Sequence, residues 1–289
     1  GIANLLVQNG NANVNAKNAD GSTLLIDSIK RGDGFSARFL LDHDCDVNLV
    51  TDGTEDTVLH IICTYAKEST EPEVYKEMIE IGQMFLSKNC AINKQNAKGF
   101  TALHLAITCG HLDMIEELLK IPETDLNLMT SEGKSALLLA LLSPQFNDFS
   151  VAKRLIDNGA ETNDIDDNGD NILQFLIKSS REAAAIFMCD HVNLNYKNSD
   201  NLTVLHLAAK FGHAELVKRI LTCGASPNIQ TGIEQMKTAL HFAIEANSEE
   251  VVQAFVDFKG DEGEEKPDFN IRCAEGDTPL SLALSLKHN

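Results

Sequence analysis

Apolar residues along the chain fall into short paired clusters. In NLTVLHLAAKFGHAELVKRILTCGASPN (201–228), Leu205, Leu207, Ala208 and Ala209 cluster just after Thr203. After Gly212 and His213, a second set follows at helical spacing: Leu216, Val217, Ile220 and Leu221. The pattern predicts a short first helix of small residues, a tight turn, and a second amphipathic helix. The phrase returns as FTALHLAITCGHLDMIEELLKIPETDLN (100–127), and more loosely as KTALHFAIEANSEEVVQAFVDF from 237 and DTVLHIIC from 56. Degenerate copies read STLLIDSIKRG (22–32), KSALLLALL (134–142), DNILQFLI (170–177) and DTPLSLAL (277–284). Each copy tends to end in an Asn, at 15, 48, 93, 127, 163, 195, 228 and 270, in steps of 33, 45, 34, 36, 32, 33 and 42 residues.

Each position in the phrase has a physical task. Gly21, Gly99, Gly133, Gly169 and Gly276 stand before the first helix, in a turn where positive φ is cheap for glycine. Thr23, Thr57, Thr101, Thr203, Thr238 and Thr278 stand where a hydroxyl caps that helix, with Ser135 and Asn171 as substitutes. Gly10, Gly159 and Gly224 are expected to close the second helix in a left-handed cap, with Asp44, Asn89 and His191 in their place elsewhere. A 33-residue base period with this phrase resembles the ankyrin repeat over the whole chain. The resemblance implies an all-α ankyrin-repeat solenoid of helix–turn–helix units with β-turn or hairpin fingers. On that reading residues 1–289 form a single array of about seven repeats, with partial repeats at 1–15 and 274–289. Neither end reads as a polar cap, so continuation of the natural protein on both sides is expected.

His60, His104, His206 and His241 each follow a Thr (57, 101, 203 and 238) by three residues. Helices in such a stack lie roughly 10 Å apart. Their rings therefore cannot share a zinc, whose ligands lie at about 2 Å. The resemblance implies that each His hydrogen-bonds its Thr and the adjacent turn.

Composition narrows the function. The chain has 43% apolar but only 6% aromatic residues and no Trp, so the core is built from Leu, Ile, Val and Ala. No apolar run approaches the roughly 20 residues a membrane span needs. The chain opens Gly-Ile-Ala, with no signal peptide, as an excised fragment would. The formal charge of −19 disfavours nucleic acid and anionic lipid as partners. Seven scattered cysteines without a CxxC read as reduced packing thiols of a cytosolic protein. Asn201-Leu202-Thr203 is formally a glycosylation sequon, but Thr203 is already the helix cap. No phosphate loop, Cys–His pair or HExxH appears, so no enzyme, catalytic residue, cofactor or metal site is expected.

Function is therefore expected in recognition, on a surface of turn tips and first helices. By the resemblance, its outward positions include Lys98, Phe100, Glu132, Lys134, Asp167, Asp170, Asp200, Leu202, Lys210 and Phe211. Phe100, Leu202 and Phe211 are apolar where the scaffold does not require it, either as partner anchors or as scattered exposed hydrophobes. Four insertions break the period. Residues 64–82 are expected to extend a second helix, with Thr70 and Pro72 at its start and Val74, Met78, Ile81 and Phe85 on one face. Residues 143–150 (SPQFNDFS) are expected to expose Phe146 and Phe149. Residues 230–236 lengthen a turn, and 258–268 form an acidic, mobile loop.

The irregular segments resemble one family more closely. STLLIDSIKRGDGFSARFLLDHDCDVN (22–48), FLSKNCAINKQNAKGFTALH (85–104), REAAAIFM (181–188), GASPNIQT (224–231) and PDFNIRCAEGDTPLSLAL (267–284) are similar to the opening repeats of the rabankyrin family, which combines BTB, ankyrin and FYVE domains. That resemblance implies a cytoplasmic scaffold, peripheral on early endosomes. It would be an effector of the early-endosomal Rab GTPase in endocytosis and macropinocytosis, with its membrane attachment outside this chain. The family also contacts EH-domain trafficking proteins through an Asn-Pro-Phe motif. SPQFNDFS lacks that motif, so the contact is not carried over. The other class open to such a fold is a regulatory module that masks a single signalling or transcription partner.

Overall fold

The computed structural model describes residues 2–64, 71–88, 90–260 and 265–287; Thr70, Asn89 and the centre of the acidic loop lie outside them. Among these residues the chain folds as helices in two compact units, 1–161 and 162–289.

The first unit holds α1 (Ile2–Gln8), α2 (Leu24–Lys30), α3 (Gly34–Leu41), α4 (Val58–Ile62), α5 (Pro72–Leu86), α6 (Ala102–Thr108), α7 (Leu112–Leu119), α8 (Ala136–Leu142) and α9 (Ser150–Asp157). Within it the first helices α2, α4, α6 and α8 pack in series, as do the second helices α3, α5 and α7. The second unit holds α10 (Ile172–Lys178), α11 (Glu182–Met188), α12 (Val204–Lys210), α13 (Ala214–Thr222), α14 (Ala239–Glu245), α15 (Glu249–Asp257) and α16 (Pro279–Ser285). Here α10, α12, α14 and α16 stack, and α11, α13 and α15 stack beside them. Between helix pairs the chain makes fingers, several closed by an isolated antiparallel bridge: Lys17 with Thr23, Val50 with Thr57, Met129 with Ser135, and Ile165 with Asn171.

The apolar stripes read from the sequence are the core: Leu205, Leu207, Ala208 and Ala209 are buried, as are Leu216, Val217, Ile220 and Leu221. The insertion at 64–82 does lengthen a second helix. α5 runs 15 residues from Pro72, where a missing N–H costs nothing, and buries Tyr75, Met78, Ile81 and Phe85, with Val74 partly covered.

Three local expectations are corrected. Gly10 does not take the left-handed conformation; Asn11 does, at φ 51°. Asn11 stands four residues before Asn15, the register that Gly224 keeps to Asn228 and Gly159 to Asn163. His191 holds the same register before Asn195 but keeps a negative φ, whereas Asp44 is left-handed at 53°. Phe146 is not exposed: it turns inward to 8% exposure, while Phe149 is partly buried and left-handed at φ 56°. An aromatic ring in a loop spanning two helix ends gains more by covering the core than by facing water.

Candidate functional site

The site is built from the finger before each first helix and from that helix. At the caps of α4, α6, α10, α12, α14 and α16 the capping side chain and the third helical residue bond each other's backbone, whereas Thr23 and Ser135 only accept from the N–H of Ile26 and Leu138. Thr203 N–H donates to Nδ1 of His206 at 3.1 Å, and the Thr203 hydroxyl lies 2.8 Å from the same nitrogen. The Nε2 of His206 reaches the carbonyl of Lys237, on the following finger, at 3.2 Å. The same geometry holds at Thr57–His60, with Nε2 at 2.9 Å from the Phe100 carbonyl, and at Thr238–His241, with Nε2 at 3.2 Å from the Asp277 carbonyl. At Thr101–His104 the box is present, but Nε2 has no hydrogen-bond partner among the described residues. A ring that accepts at Nδ1 and donates at Nε2 is neutral. Burial pushes the pKa of all four down, to about 4 at His104 and His206. Asn171 and Gln174 make the same box with no imidazole: Gln174 accepts from Asn171 N–H at 2.9 Å and donates to the Leu202 carbonyl at 2.8 Å.

A second set of bonds joins neighbouring repeats. The Oδ1 of Asn15, Asn48, Asn93 and Asn127 accepts from the backbone N–H of Asp46, Ala91, Asp125 and Glu161 in turn. In the second unit, Asn163, Asn195 and Asn228 accept from Asn193, Ser226 and Asp268. This is the task of the Asn that ends each copy. It was visible in the sequence as a recurrence but carried no sign of its partner, which is main chain.

The outward positions read from the sequence divide. Lys98, Glu132, Asp167, Asp200, Lys210 and Phe211 are exposed. Phe100, Lys134 and Leu202 are partly buried, and Phe100 sets its ring edge-on to His104. Asp170 is not a surface position. At 2% exposure it pairs with Lys178 at 2.5 Å and accepts from Asn198 Nδ2 at 2.6 Å. The partner lies eight residues on, at the end of the first helix. The same spacing pairs Lys30 with Ser22 and Lys237 with Glu245. At Leu202 an apolar residue replaces that partner, so Lys210 makes no such pair.

The lengthened turn at 230–236 adds a feature the sequence reading did not single out. Gln235 and Met236 donate back to the Gly232 carbonyl, Thr231 donates to the Lys237 carbonyl, and Ala274 N–H donates to Gln235. These bonds hold Ile233 outward at 90% exposure. Beside it lies a groove of about 620 Å³ between the Asp200 finger, the lengthened turn and the first helices. One trio of possible metal-ligand atoms, on Cys273, Glu275 and Asp277, lies within 4.8 Å; Asp277 already accepts from the Ser281 hydroxyl. Among the described residues, no helix is long and apolar enough to cross a membrane.

Comparisons agree with this architecture. The family model for ankyrin repeats (3 copies) matches residues 73–164, 142–231 and 207–289. Rabankyrin-5 of Homo sapiens is 31% identical over 328 aligned positions, which cover 98% of this chain and 28% of that protein. Rabankyrin-5 of Mus musculus is 30% identical with the same coverage, so the chain spans little more than a quarter of these relatives. Among solved structures, the ankyrin repeat domain of Bcl-3 superposes with a TM-score of 0.67 at 18% identity, covering 82% of this chain and 99% of that one.

Proposed function

This chain belongs to the ankyrin-repeat family, and from that premise we infer that it is a non-enzymatic protein-interaction scaffold within an early-endosomal Rab effector. On this reading it acts in endocytosis, macropinocytosis and endosomal trafficking, and is cytoplasmic and peripheral on early endosomes. The carrying observation is that similarity to Rabankyrin-5 runs over 98% of the chain. Generic repeats share the capping phrase. A match over nearly the whole chain is more specific than that phrase.

The fingers and first helices supply the surface. Phe211, 49% exposed at the end of α12, is the clearest single anchor. A pull-down of the purified chain against the early-endosomal Rab GTPase in its GTP and GDP states tests the reading. GTP-selective retention is expected. Phe211→Ala should weaken it by about 1–2 kcal/mol, the range of an exposed aromatic anchor, with unchanged helicity. Retention in neither state overturns the Rab assignment.

A further inference from the structure

The groove between the Asp200 finger and the lengthened turn has one apolar lip, Ile233, and an acidic side chain on each side. Among the described residues, the carboxylates of Asp200 and Glu234 form no ion pair, and both are exposed. Lys210, left unpaired by Leu202, stands on the helix wall. Two other fingers carry an ion pair, Lys17 with Asp52 and Lys134 with Glu132, at 2.6 and 2.7 Å. The second unit as a whole carries 20 acidic against 11 basic residues, and the groove itself is lined by two carboxylates against one lysine.

Ile233 is the second element. It is the most exposed large hydrophobic residue among those described, yet its turn is tied by backbone bonds on both sides. Burying a fully exposed isoleucine yields roughly 1.5–3 kcal/mol. A fixed turn also loses little conformational freedom when it is covered.

We propose that this groove binds an extended peptide segment of a partner protein that carries a basic side chain beside a large apolar one. The basic side chain meets Asp200 on the finger and Glu234 on the turn, and the apolar one packs on Ile233. Lys210 keeps the basic side chain off the helix wall. The proposal rests on the interaction-scaffold reading and names the ligand chemistry of part of that surface.

The test is fluorescence anisotropy of the chain with a labelled eight-residue peptide alternating Arg and Leu, beside Arg–Ser and Glu–Leu peptides of equal length. Saturable binding of the Arg–Leu peptide alone is expected. Ile233→Ser, and Asp200→Asn with Glu234→Gln, should each lower affinity about five-fold or more, the scale of one lost anchor or charge contact. Lys210→Ala should leave affinity equal or higher. Equal binding of the Arg–Ser peptide, or indifference to these solvent-exposed substitutions, overturns the groove. If the peptide fails while Phe211-dependent protein binding persists, the groove proposal falls and the scaffold reading stands. Loss of both overturns both.

Discussion

At the scale of single residues, the turn two positions before each cap is the most demanding. Its residue has positive φ in every copy: Gly21, Gly99, Gly133, Gly169 and Gly276, but also Glu55 at 56°, Asn201 at 57° and Met236 at 46°. Asn adopts this geometry readily. Glu and Met pay roughly 1 kcal/mol in steric strain there. Glu55 is exposed, and among the described residues only its backbone N–H is engaged, with the Thr51 carbonyl. Glu55→Gly should therefore raise stability by about 0.5 kcal/mol, the strain relieved less the extra freedom of glycine in the unfolded chain. A urea denaturation midpoint that falls would show that the Glu55 side chain contributes more than its backbone costs.

At the scale of elements, the helix pairs were legible because their signals are local: a capping hydroxyl, a 3.6-residue apolar period and a glycine stop. What escaped depends on neighbours. The burial of Phe146 is decided by how a loop of SPQFNDFS folds back. That of Asp170 depends on Lys178 and on Asn198 from the next finger. The left-handed residue at Asn11 was misplaced onto Gly10 because glycine is the stronger local signal, while the true register is set by Asn15. The groove was invisible for the same reason: Asp200, Glu234 and Ile233 are brought together by two repeats. Junctions between elements carry measurable energy. Asn195→Ala removes the acceptor for Ser226 N–H at 2.9 Å and should cost about 1 kcal/mol. Asn195→Asp, which keeps an oxygen there, should cost less. Equal losses in chemical denaturation would mean that the bond to Ser226 contributes nothing.

At the scale of the whole molecule, the buried histidines make stability depend on pH. His60, His104, His206 and His241 have pKa values depressed by burial, two of them to about 4. In the unfolded chain a His protonates near 6.5. Between about pH 6.5 and 4 the unfolded state therefore binds more protons, and stability falls as pH falls through that window. His206→Gln should flatten the slope while keeping the fold, because Gln174 already makes the same bonds beside Asn171. An unchanged slope from pH 7 to 4.5 would assign the acid loss to carboxylates instead. The inter-repeat bonds have a consequence of another kind. Both the Asn oxygens and the Nε2 of His60, His206 and His241 engage backbone of the adjoining repeat, so the receiving residue is as different as Asp46, Ala91, Ser226 or Lys237. As far as these bonds go, a repeat gripped through its main chain can be duplicated, deleted or exchanged during evolution with no compensating mutation in its neighbour. Its outward side chains are then free to drift toward new ligands while the lineage keeps one scaffold.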